Sequence, residues 1–220
     1  MALQSSDAPL SGGLPSTGLP SADSRVRESG ELSGLQAIIE PSVDAATWRR
    51  ALPVHVSQSL AQISTATGID LRTEAMPSGV GEHVARFLSD LGVEDESVHA
   101  WLEEDVETLA KAFSTLLGTE RIALRLEWVR SDACRKFHQD AIRARLICTY
   151  TGPGTEYGIA PRGEEPEDIR RVPVGSPMLL KGKAWRGSAR PLLVHRSPPI
   201  EGTGQGRLVV VIDEALSQAA

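Results

Sequence analysis

Phe137-His138-Gln139-Asp140 sets an imidazole and a carboxylate two residues apart. Alternate residues of an extended segment point to the same side, so this pair can grip one ion together. A further imidazole, His195, closes another apolar stretch 57 positions later. Two histidines and a carboxylate on one face of an iron ion leave positions open for substrate and dioxygen. With 5 His and 11 Asp in 220 residues, chance alone supplies about 0.25 such H-x-D pairs. The order of features around the pair gives it weight. A strand pattern and the turn Gly152-Pro153-Gly154-Thr155-Glu156 follow, then Val174-Gly175-Ser176-Pro177 before Met178-Leu179-Leu180. Gly206-Arg207 opens the last strong strand, 12 positions past His195.

Another ligand set competes. Cys134 precedes His138 by four residues, and Cys148 lies on the next strand pattern. Cys134, His138, Cys148 and His195 would suit tetrahedral zinc, although no C-x-x-C pair is present. The plain alternatives are a core thiol at Cys148, a packed or surface thiol at Cys134, and a hydrogen-bonded polar cluster at the histidines. His55, His83 and His99 read as structural or solvent-facing. No Gly-x-Ser-x-Gly elbow, Walker loop or dinucleotide fingerprint occurs.

The elements that must position these residues divide the chain. Residues 1–34 are rich in Ser, Gly and Pro without a buriable face, which predicts a disordered tail. From 35 to 118 the period is helical. Asp44 is a candidate cap for a short helix through Trp48 and Leu52, stopped by Pro53. Val56, Leu60 and Ile63 continue on one face. Val80, Val84, Phe87, Leu88 and Leu91 form a stripe closed by Gly92, and Leu102, Val106, Leu109, Phe113 and Leu116 form another closed by Gly118. Each stripe has one apolar face, so these helices must pack on something else.

From 119 to 217 the period becomes two. Ile122, Leu124, Leu126 and Trp128 alternate with polar residues, and further strands are predicted at Arg145–Tyr150, Ile169–Val174, Pro177–Leu180, Leu192–Arg196 and Arg207–Asp213. Short strands without intervening helices indicate an antiparallel sandwich or barrel. Trp185 and Arg186 sit in a long connection readable as a lid or an exposed hairpin, and the Gly163–Asp168 run reads as a solvated loop. Ser197-Pro198-Pro199 would stiffen the end of the His195 strand.

Composition narrows the function classes. Residues 1–118 carry 7 Lys/Arg against 17 Asp/Glu, and residues 119–220 carry 16 against 12, so the halves are −10 and +4. A mildly basic C-terminal half suits a small anionic ligand. Its scattered arginines and the 4% aromatic content give no nucleic-acid footprint. No apolar run reaches a membrane span, and no basic, apolar leader opens the chain, so a cytoplasmic protein is expected. Oligomeric state and substrate are not legible.

The order H-x-D, strand, Gly-rich turn, distal His and a basic residue opening the final strand resembles the iron(II)- and 2-oxoglutarate-dependent oxygenases of the prolyl-hydroxylase type, over about residues 120–214. The resemblance implies an α+β fold, with N-terminal helices packed on a C-terminal antiparallel double-stranded β-helix of cupin or jelly-roll kind. It implies iron(II) on His138, Asp140 and His195, and 2-oxoglutarate held by Arg207. Arg145 or Arg125 could replace Arg207 as the anion contact.

A closer resemblance covers roughly residues 35–215. Ala133-Cys134-Arg135-Lys136-Phe137-His138-Gln139-Asp140, Arg145-Leu146-Ile147-Cys148-Thr149-Tyr150-Thr151-Gly152-Pro153-Gly154-Thr155-Glu156 and His195-Arg196-Ser197-Pro198-Pro199 look like an uncharacterised bacterial domain family of no established activity. Some of its members neighbour zinc-supply genes. Three readings follow: an oxygenase-like enzyme, a non-catalytic zinc-binding protein of metal homeostasis, and a cupin-like binding module without metal.

Overall fold

The computed structural model describes residues 19–64, 68–132, 134–161, 163–187 and 190–215. Residues 1–18 of the expected tail, Ala133, the connection residues Ser188 and Ala189, and positions 216–217 lie outside that set. In chain order the elements are α1 (Ala22–Arg25), β1 (Val26–Ser29), a 3-10 segment (Leu32–Ile39), β2 (Ala45–Trp48), α2 (Val54–Leu60) and β3 (Ile69–Ala75). A 3-10 turn (Pro77–Gly79), α3 (Gly81–Asp90), α4 (Glu96–Leu117), β4 (Ile122–Val129), β5 (Ala144–Thr151) and β6 (Glu156–Ile159) follow. The chain ends with β7 (Arg170–Arg171), β8 (Met178–Lys181), β9 (Leu193–Arg196) and β10 (Arg207–Glu214).

Two sheets result. The larger has seven strands in the order β1-β2-β8-β5-β10-β4-β3, and the smaller three in the order β7-β6-β9. Only the β1–β2 pair is parallel. The architecture is mixed α and β around a large, mostly antiparallel sheet.

Period-two alternation divides each central strand between two cores. In β5, Leu146, Cys148 and Tyr150 pack toward the helices, whereas Ile147 faces the smaller sheet. In β10, Leu208, Val210 and Ile212 face the helices, and Val209 and Val211 face the smaller sheet. That parity sends Arg207, Arg145, Arg125 and Glu127 into the space between the sheets, where they line one cavity. On the helix side, α4 is started by Asp95, whose carboxylate accepts from the Ser97 amide at 2.9 Å, and stopped by Gly118 at φ 62°. The stripes of α3 and α4 fill that core with Val84, Phe87, Leu88, Leu102, Leu109 and Phe113.

Several expectations are corrected. Residues 19–34, placed in the disordered tail, include α1 and β1, because pairing with β2 gives this polar stretch backbone partners that its own side chains cannot provide. The boundary at 118 does not divide helices from strands, since β1, β2 and β3 all join the large sheet. The helix expected from Asp44 is strand β2 instead. Ala45 and Ala46 are buried against opposite cores, and ladder pairing on both sides overrides alanine's helix preference. The strand expected at Ile169–Val174 shrinks to β7, where Pro173 and Gly175 interrupt it. Trp185 is no free lid tip, because it packs on the helix-side core.

Candidate metal centre

His138 and His195 meet across an isolated antiparallel bridge, exchanging two backbone hydrogen bonds of 3.0 Å each. Their rings lie 4.6 Å apart, centroid to centroid. Asp140 completes the group. Its Oδ1 is 3.8 Å from His138 Nε2, its Oδ2 is 3.3 Å from His195 Nε2, and one ligand atom from each residue falls within 4.8 Å of the others. Donors bound to one ion at about 2.1 Å stand roughly 3 Å apart, so closure needs only small side-chain shifts.

The surroundings fix which atoms are free. Arg145 bonds Asp140 Oδ1 at 2.5 Å and Asp213 at 2.7 and 2.6 Å. Asp140 Oδ2 is buried and accepts no hydrogen bond among the described residues. His138 Nδ1 donates to the Lys136 carbonyl at 2.8 Å, which turns Nε2 toward Asp140. His195 is 4% exposed and its Nδ1 has no partner. Burial, with His138 and Arg145 nearby, pushes its pKa down from 6.5 to about 3, so it is a neutral imidazole at neutral pH. An orphaned carboxylate oxygen beside two imidazoles is a donor set suited to a cation, and the three residues fit a metal ion.

Neighbouring segments hold this geometry. Gln139, between His138 and Asp140, donates to the Pro191 and Leu193 carbonyls at 2.7 and 3.1 Å. Asp44 Oδ2 accepts from the amides of Leu192 and Leu193 at 2.8 and 3.2 Å. The backbone from Asp140 to Ile142 packs on Gly182 so closely that an added Cβ there would meet the Ile142 carbonyl at 2.0 Å and the Asp140 carbonyl at 3.0 Å. Neither Gln139 nor Asp44 was singled out as part of the site from the sequence; a short polar side chain beside each ligand segment is too common a signal.

Arg207 enters the same cavity, of about 70 Å³. It is 2% exposed, donates to the Pro153 carbonyl at 2.6 Å, and approaches the Thr149 and Thr155 hydroxyls at 3.4 and 3.5 Å. Burial pushes its pKa down to about 10, and no carboxylate pairs with it among the described residues. Gly152, at φ 79°, lets the turn close over it, since a Cβ would meet the Gly206 carbonyl at 2.2 Å. Arg145 is engaged by two carboxylates, and Arg125 lies 3.5 Å from Glu127, so neither replaces Arg207 as a free cation.

The four-residue zinc set is not brought together. Cys148 points into the helix-side core, where burial pushes its thiol up to about 12. Cys134 does line the cavity, with a left-handed φ of 60°, but it is not in the three-residue cluster. His55, His83 and His99 also lie outside that cluster.

A family model described as "Protein of unknown function (DUF1826)" matches residues 29–213. No curated protein sequence matches the chain. Among solved structures, the dioxygenase for auxin oxidation in rice is similar, at 11% identity and a TM-score of 0.47, over 88% of this chain and 83% of that one. The 2-oxoglutarate complex of the Arabidopsis thaliana enzyme gives 10% and 0.48, over 89% and 94%. A Pseudomonas putida prolyl-4-hydroxylase gives 12% and 0.44, over 84% and 100%.

Proposed function

We propose that this chain, which belongs to the DUF1826 family, is a mononuclear iron(II) enzyme that uses 2-oxoglutarate to oxidise an organic substrate. One observation carries the reading: a His138, Asp140, His195 cluster, with His195 and an orphaned carboxylate oxygen of Asp140 buried, lies beside the cavity that holds a buried arginine with no carboxylate partner among the described residues. A cation at the first and an anion at the second answer both deficits, and a 2-oxo diacid joins the two positions. Iron(II), when bound, supplies the centre at which dioxygen is reduced while the 2-oxo acid loses carbon dioxide and the substrate gains oxygen.

The residues have separable roles. His138 Nε2, His195 and Asp140 Oδ2 hold the ion. Arg145 occupies Asp140 Oδ1, which fixes the carboxylate plane and leaves the other oxygen for the metal. Arg207 takes the far carboxylate of the 2-oxo acid, assisted by the Thr149 and Thr155 hydroxyls. Burial of Arg207 and His195 between the two sheets strengthens the contacts they make. Anaerobic addition of iron(II) and then 2-oxoglutarate should produce a visible charge-transfer band that His138→Ala abolishes. Absence of the band, with no consumption of 2-oxoglutarate in air, would overturn the assignment.

Cys134 on the cavity wall supports a second reading, a non-catalytic zinc protein in which this thiolate completes the shell. It predicts zinc in the purified protein, loss of that zinc in Cys134→Ala, and indifference to 2-oxoglutarate.

A further inference from the structure

Glu156 sits on the middle strand of the smaller sheet, opposite Arg171 on β7 and Arg196 on β9. Its Oε1 accepts from Arg171 Nη2 at 2.7 Å and its Oε2 from Arg196 Nε at 2.8 Å. Arg196 also lies over the Phe137 ring, 4.3 Å from its centroid. Glu156 is only 9% exposed, and although burial works to raise its pKa, the two arginines outweigh that and hold it below the usual value. It therefore stays ionised, orients the Arg196 guanidinium together with the Phe137 ring, and tethers the more exposed Arg171 by one hydrogen bond.

The arginines are not used up by this contact. Among the described residues Arg171 spends one nitrogen and Arg196 one nitrogen on Glu156. Two cations against one carboxylate leave a local charge of +1, which one monoanion neutralises. Both arginines line a groove of about 470 Å³ floored by Pro153, Pro198 and Pro199, and Arg196 also lines the metal cavity. The groove and the metal cavity thus meet at a pre-oriented guanidinium. Spare, fixed N–H donors at such a junction match the oxygens of a carboxylate or phosphate.

We propose that Arg171 and Arg196 form an oxyanion subsite, and that the substrate of this enzyme carries a carboxylate or phosphate which docks there. The role as substrate subsite rests on the oxygenase reading; the anion site itself does not. It is tested on the full chain in chelator, at fixed ionic strength, by calorimetric titration with inorganic phosphate and, separately, acetate. At least one should bind saturably, and which one does assigns the substrate group. Arg171→Gln should weaken that binding about tenfold or more, the loss expected for a charged hydrogen bond. Arg196→Lys, which keeps the charge but not the fork, should weaken it as well. Binding by neither anion, binding undiminished in both variants, or binding abolished by Arg207→Met would overturn the proposal. The wild-type iron(II) and 2-oxoglutarate band, read separately, tells a failed oxygenase reading from a failed subsite.

Discussion

Arg207 is a buried cation with no carboxylate in direct contact among the described residues, so the fold returns only part of its lost hydration. Its neighbours are one carbonyl and two distant hydroxyls, and an unpaired buried ion is among the most costly features a fold can hold. Arg207→Met should accordingly raise the stability of the ligand-free protein by about 1–3 kcal/mol in urea unfolding, while removing 2-oxoglutarate binding in calorimetry. A variant that is destabilised and still binds 2-oxoglutarate would contradict the role given to this residue. His195 makes the opposite kind of prediction. Its folded pKa is about 3 against an ordinary 6.5, so between those values the unfolded chain takes a proton that the folded chain refuses. Stability of the metal-free protein should fall as pH drops below 6.5, by about 1.4 kcal/mol per unit. Denaturant unfolding at pH 7 and pH 5 should show this slope, and His195→Gln should lose that part of it. At this scale the grouping of His138 with Asp140 was legible because H-x-D spacing encodes a shared side. Arg145 was harder to place: its partner Asp213 sits opposite it only through the β5–β10 register.

Strands with one dry face announced themselves. In β4, Ile122 to Trp128 alternate strictly, and the structure buries every second residue. Helix α4 was equally readable from its stripe and its two ends. Strand β2 was not, because Ala45–Trp48 is short, nearly all buried, and made partly of alanine, so no period distinguishes strand from helix. Strand β3 did carry a signal, with Ile69, Leu71, Thr73 and Ala75 alternating against Asp70, Arg72 and Glu74, but the helical stripes on either side masked it. The His138–His195 pairing is the least legible element, being one bridge long. So short a ladder holds two ligand segments weakly, and the two hydrogen bonds from Gln139 extend it. Gln139→Met should therefore lower metal affinity about 10–100-fold while leaving the unfolding temperature of the metal-free protein nearly unchanged. In a His195→Ala background the same change should have little effect on affinity, since the strand it positions no longer carries a ligand. Equal losses in both backgrounds would show a general rather than a positioning role.

The molecule as a whole is three layers: helices, the seven-stranded sheet, and the three-stranded sheet. The first core is dry and extensive. The second is small, and polar side chains of β4, β5 and β10 share its face with valines and Ile147. That asymmetry explains how one domain can fold firmly around a poorly satisfied site: the helix-side core supplies the stability, and the inter-sheet space tolerates the orphaned oxygen and the unpaired arginine. No helix among the described residues is long and apolar enough to cross a membrane. The proposed oxygenase activity requires one metal ion on His138, Asp140 and His195 in this second space. Anaerobic iron(II) titration of the full chain, with bound metal counted after desalting, tests it most directly. One equivalent of iron per chain is expected, reduced to background in both His138→Ala and Asp140→Ala. Binding that survives both substitutions, or no stoichiometric binding by the wild type, would contradict it.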